Sequence, residues 1–136
     1  MKKKGFTLVE LLAVIAILAI LVIIALPNVI GLFQSAQRNS LVNEAREVYN
    51  TARNQWLVSG LGSATTDTTY TDSGSNKLSL DGRDISYKVT VETDGKITYL
   101  HVCDLPAKRG VKVTGTDIKV DDIKISNIED DISTCD

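Results

Sequence analysis

Apolar residues crowd the front of the chain and then thin into two different rhythms. Sixteen of them follow one another without a break from Leu11 to Leu26. A helix over residues 6–26 would be about 31 Å long, which matches a hydrocarbon layer of about 30 Å. One carboxylate, Glu10, sits at the front edge of the run. A carboxylate costs about 2.5 to 3.5 kcal/mol at a bilayer centre and less near an interface. Beyond Pro27 the rhythm becomes helical: Leu41, Ala45, Val48, Ala52 and Trp56 recur on one stripe, with Val42 and Tyr49 beside it. Arg38, Asn39, Asn43, Glu44, Arg46, Glu47, Asn50, Arg53 and Asn54 fill the other face. The pattern predicts a helix running to about Val58 and ending at Gly60 or Gly62. A helix from Phe6 to Val58 would be about 80 Å long. Apolar all round in its first half and on one side in its second, it suits a stalk joined to a globular head.

Residues 59–76 are rich in Gly, Ser, Thr and Asp and predict a long surface loop, with Tyr70 as its anchor to the head. The clearest strand signal is Ile85 to Cys103, where Ile85, Tyr87, Val89 and Val91 alternate with Ser86, Lys88 and Thr90. Asp94-Gly95 reads as a two-residue hairpin turn. That register pairs Val91 with Thr98, Val89 with Leu100, and Tyr87 with Val102, all on the face that covers the helix stripe. Lys88, Thr90, Tyr99 and His101 fall on the other face. Shorter strands are expected at Lys77–Leu80, Val111–Val113 and Ile118–Ile125, with a bulge or tight turn at Asp121-Asp122. The expected fold is α+β, an antiparallel sheet of about four strands on one helix. The expected segments are 1–5, a basic leader; 6–33, an apolar helix; 34–58, its amphipathic continuation; 59–76, the loop; and 77–136, the sheet.

Composition sharpens this picture. The chain has 136 residues and a net charge of −2, of which +3 lies in the first five residues and −5 in the rest. The acidic remainder argues against a nucleic-acid-binding surface. Lysines beside a span stay in the cytoplasm, so everything after Leu26 is expected outside. There an even pair of cysteines, Cys103 and Cys135, is expected to form a disulfide, two free thiols being the alternative. Two cysteines 32 positions apart and one histidine do not make a zinc set.

An ordinary secretory signal has a shorter apolar core and a small-x-small cleavage site; neither fits here. An ordinary anchor does not explain Gly5-Phe6-Thr7-Leu8-Val9-Glu10. With its lysines and the long apolar run ending at Pro27, this block resembles the type IV pilin family, pseudopilins included. The resemblance covers about a fifth of the chain and rests on Lys2 to Leu12. It implies that a membrane prepilin peptidase cuts between Gly5 and Phe6 and methylates the new amino group of Phe6. It also implies that Glu10 meets the N-terminal ammonium of a neighbouring subunit during assembly. Thr7 and Glu10 fit a capping box as well, and the two roles are compatible. The resemblance makes Pro27 the point where the helix kinks or loosens in the fibre. Many members carry a glycine eight residues before that proline; this chain has Ala19. A C-terminal region bounded by a disulfide is common in the family, and Cys103 and Cys135 stand where it would lie.

Nothing in the chain argues for catalysis, a cofactor or a bound metal. His101, the only histidine, has no nucleophile elbow to serve and reads as a sheet-surface residue. The acidic group Glu129, Asp130, Asp131 and Asp136 lacks the spacing of a calcium loop. Asp81-Gly82-Arg83-Asp84 reads as a turn. The expected function is therefore structural: a subunit, the major one, of a type IV pilus, with the adhesion and motility that the resemblance implies. Its expected partners are further copies of itself in a helical filament, the cytoplasmic membrane before assembly, the prepilin peptidase, and an assembly platform with its ATPase. The alternatives are a pseudopilin of a type II secretion or competence DNA-uptake system and an uncleaved single-span anchor carrying a small binding domain. The Trp-Gly stretch and calcium loop of the major secretion pseudopilin are not visible, which weighs against the first of these.

Overall fold

A computed structural model describes residues 5–60, 65–81 and 85–136. Lys2, Lys3, Lys4, Gly62 and the Gly82-Arg83-Asp84 turn lie outside those residues, as does part of the expected 59–76 loop. One helix, α1 (Leu8–Gly60), is followed by β1 (Thr68–Thr71), β2 (Ser86–Val91), β3 (Ile97–Asp104), β4 (Arg109–Thr114) and β5 (Ile128–Asp130). The contacts divide the chain into two units, Met1–Ala36 and Gln37–Asp136.

Within the second unit, α1 buries the stripe that its spacing dictates: Leu41, Val42, Ala45, Val48, Tyr49 and Ala52. Against it stand Tyr87, Val89, Val91, Ile97, Leu100, Val102, Val111 and Val113 in one continuous core. Burying one such side chain fully stabilises the fold by about 1.5 to 3 kcal/mol. Trp56 is only partly buried at the margin of this core. The sheet has five strands in the order β1-β2-β3-β4-β5, every neighbour antiparallel.

The α+β class holds, and the details correct several expectations. The hairpin between β2 and β3 pairs Tyr87 with Val102 and Val89 with Leu100, then slips so that Val91 faces Ile97 instead of Thr98. The cause is the turn. Gly95 N–H donates to the Glu92 carbonyl and Glu92 N–H to the Lys96 carbonyl, while Gly95 has φ +83. That is a three-residue loop closed by a left-handed glycine, which adds a bulge that a two-residue turn lacks. Glycine is required there twice over, since a Cβ would also meet the Trp56 ring at 2.7 Å.

Lys77–Leu80 is not a strand. Its main chain finds side-chain partners instead: Leu78 N–H donates to the Tyr87 hydroxyl at 2.7 Å and the Lys77 carbonyl accepts from Gln55 at 3.2 Å. Burial raises the pKa of the Tyr87 phenol, with the Leu78 hydrogen bond pulling the other way. Ile118–Ile125 is not a strand either; it folds into two 3-10 turns, Val120–Asp122 and Ile125–Asn127. Asp122 and Asn127 reach back to accept from Lys119 N–H and Lys124 N–H, each at 2.8 Å. The repeat is five residues long, so Ile118 and Ile123 both turn inward and Ile128 packs partly against the core. Two strands were not expected. β1 lies inside the supposed 59–76 loop and buries Tyr70, and β5 adds a short charged edge beside β4.

Candidate functional site

Among its described residues, the N-terminal unit buries no side chain and has no core of its own. The start of α1 is fixed by a reciprocal cap: Thr7 N–H donates to Glu10 Oε2 at 2.9 Å, and Glu10 N–H donates to Thr7 Oγ1 at 3.3 Å. Thr7 is thus the N-cap, and its carbonyl accepts the first helical bond, from Leu11 N–H at 3.2 Å. A carboxylate in the first turn also faces the positive end of the helix dipole. Phe6, Leu8 and Val9 are 89%, 79% and 75% exposed, and every large apolar side chain from Leu11 to Phe33 is exposed as well. A helix apolar on all sides is built for lipid or for the inside of an assembly, because no aqueous surface rewards it. α1 is long and apolar enough to cross a membrane. Pro27 lies inside α1, which continues past it.

A second cluster occupies the outer face of β3. Cys103 and Cys135 are joined by a disulfide across a sequence separation of 32, with their Cα atoms 5.9 Å apart. The bond draws the last residues over the sheet. Tyr99 donates its hydroxyl hydrogen to the main-chain oxygen of Asp136, and His101 Nδ1 lies 2.9 Å from that same oxygen. The Lys88 and Lys112 ammonium groups stand 5.8 and 5.6 Å from the centre of the Tyr99 ring.

His101 is therefore a correction. It is on the predicted face of the sheet, yet only 3% of it is exposed, because Ile132 to Asp136 cover that face. Gly110 makes room for the cover: a Cβ there would meet Ile132 Cδ1 at 2.7 Å and His101 Nε2 at 3.0 Å. Nothing in the local sequence around His101 announces a roof supplied from 35 residues away. The acidic residues do not converge. Asp130 spends its two oxygens on Arg38, at 3.0 Å, and on Arg109, at 3.1 Å. Glu129 and Asp131 are exposed. Among the described residues, the one group of three metal-capable side chains is His101, Cys103 and Cys135.

Neither a curated relative nor a solved structure matches the chain. Residues 1–26 match the model of the prokaryotic N-terminal methylation motif. Gly5 to Glu10 lie within that match, and an apolar N-terminal helix with an antiparallel sheet is the α+β arrangement of pilins. Together these observations support a type IV pilin-like prepilin, a pilin or pseudopilin-like subunit.

Proposed function

We propose that the chain is the major structural subunit of a type IV pilus and that it polymerises through residues 6–33 into an extracellular filament. One observation carries this reading: an apolar stretch of helix exposed on every side, bearing a single carboxylate in its first turn, inside the residues that match the methylation motif. A prepilin peptidase cuts between Gly5 and Phe6 and methylates the freed Phe6 amino group. The mature subunit then waits in the cytoplasmic membrane through residues 6–26. An assembly platform and its ATPase draw it into the growing fibre, where apolar helices replace lipid with one another.

Glu10 supplies register in this reading. An unpaired carboxylate in a low-dielectric bundle is strongly disfavoured. The Phe6 ammonium of a neighbouring subunit relieves it only when the two helices are correctly staggered, and methylation keeps that charge. The Thr7 cap is compatible, since a carboxylate accepts several hydrogen bonds. Pro27 is the point where the helix loosens on packing. A C-terminal region bounded by a disulfide is common among pilins, and the Cys103–Cys135 bridge supports this reading.

Two measurements test the proposal. Mass spectrometry of the native N-terminus is expected to find a chain that begins at a methylated Phe6; an intact leader overturns the prepilin reading. Electron microscopy of sheared surface material is expected to find this chain as the bulk of a fibre. Glu10→Ala is expected to insert normally and yield no filaments, and ordinary filaments from that variant overturn the register role.

A further inference from the structure

Spacing along the chain spoke against a zinc set, but the fold brings the three residues together, and we propose that the reduced chain binds a thiophilic divalent metal ion, of the zinc class, through Cys103 Sγ, Cys135 Sγ and the imidazole of His101. Both sulfurs and a ring nitrogen of His101 lie within 4.8 Å of one another. The histidine carries the argument. Its Nδ1 lies 2.9 Å from a main-chain oxygen, which only accepts, so Nδ1 carries a proton, and in the neutral ring that leaves Nε2 with a bare lone pair. Nε2 is buried and has no hydrogen-bond partner among the described residues. Buried polar atoms rarely stay unpaired, and each one asks for an explanation. One ring nitrogen donating to a backbone oxygen while the other stands free is the state in which imidazoles bind metals. Nε2 faces Gly110, the residue paired with Cys103 across β3 and β4.

While the disulfide is closed, the sulfurs are not thiolates and the site does not exist. A trialkylphosphine opens it: the S–S bond breaks, the phosphine takes the oxygen of a water molecule and becomes its oxide, and the two water hydrogens end on the two sulfurs. The metal ion then displaces both thiol protons into the buffer and is held by two thiolates and a neutral imidazole. Metal–sulfur bonds of about 2.3 Å set the sulfurs about 3.8 Å apart. Cα atoms 5.9 Å apart accept that separation by side-chain rotation. Three protein ligands leave a fourth position for water. Before oxidation, such an ion holds Cys135 against β3 where the disulfide later does. This inference is independent of the pilus reading.

The test uses full-length protein in detergent micelles, reduced with the phosphine, freed of it, and titrated with Co2+ alone. We expect one ion per chain, a thiolate-to-cobalt charge-transfer band with tetrahedral visible absorption, and loss of both on adding Zn2+. His101→Asn is expected to weaken Co2+ binding at least about tenfold, the loss that even an outer-shell change brings. Because His101 is buried, the fold of that variant is checked in its oxidised form by circular dichroism. Cys135→Ser, which leaves the histidine in place, is expected to lose binding to a similar degree. The proposal is overturned if the reduced wild type binds no ion, if the oxidised chain binds as well as the reduced one, or if either variant keeps wild-type affinity.

Discussion

Residues 8–33 and residues 41–56 belong to one helix and meet water in opposite ways. In the first stretch the large apolar side chains point in every direction and remain exposed. In the second, Leu41, Ala45, Val48 and Ala52 form one stripe that the sheet covers completely, while Asn43, Glu47 and Asn50 face solvent. Helix propensity does not separate the two, since both are helical. The partner does. The second stretch brings its own, in strands β2 to β4. The first has none in its own unit and must borrow one from lipid or from other copies. A helix can therefore carry two independent commitments, one to folding its own unit and one to a partner outside it, and substitutions should damage them separately.

The sharpest test of that separation is paired truncation. Leu100→Ala empties a fully buried position and is expected to destabilise the C-terminal unit by about 2 to 5 kcal/mol, read from urea unfolding followed at Trp56. Ile17→Ala, at an exposed position, is expected to leave that transition where it was. A shift from Ile17→Ala comparable to that from Leu100→Ala breaks the comparison. Next in size, replacing Cys103 and Cys135 together by serine is expected to cost about 3 to 4 kcal/mol for a loop of this length. Thermal melts with and without the bridge measure it. Tyr87→Phe removes the acceptor of a buried Leu78 N–H and is expected to cost about 1 to 3 kcal/mol by the same unfolding assay.

The smallest effect lies in the hairpin turn. Hydrogen bonds from the Lys96 side chain and then its main chain lower the pKa of Asp94, and Asp94 raises that of Lys96. A lowered carboxyl contributes stability above its ordinary range and loses it as pH falls through the depressed value. Asp94→Asn is expected to flatten the acid side of the melting temperature against pH. Both groups are exposed, so the change should be slight and fade with added salt.

The helix was legible in the sequence because its rhythm is long. Leu41 to Ala52 repeats often enough to reveal a buried face, and Leu11 to Leu26 leaves no polar side at all. β2, β3 and β4 were legible for the same reason. β1 was not, because Thr68–Thr71 offers one apolar side chain, Tyr70, among residues that usually make loops. Ile118–Ile125 misled because Val120 and Ile123 look like strand residues. The deciding groups are Asp122 and Asn127, whose side chains bind backbone three residues back and turn the chain. The cap at Thr7 and Glu10 was readable as a motif. His101 was not readable, since its burial depends on a distant segment that a disulfide brings across the sheet.

The order of the strands carries one more consequence. Each strand from β2 to β5 pairs with the strand just before it, so no strand has to wait for a remote one before it can bond. Closing short loops costs little entropy, and domains rich in near-neighbour pairings form quickly. The sheet can thus zip up progressively, leaving the long-range closures, Asp130 to Arg38 and Cys135 back to Cys103, as late fastenings.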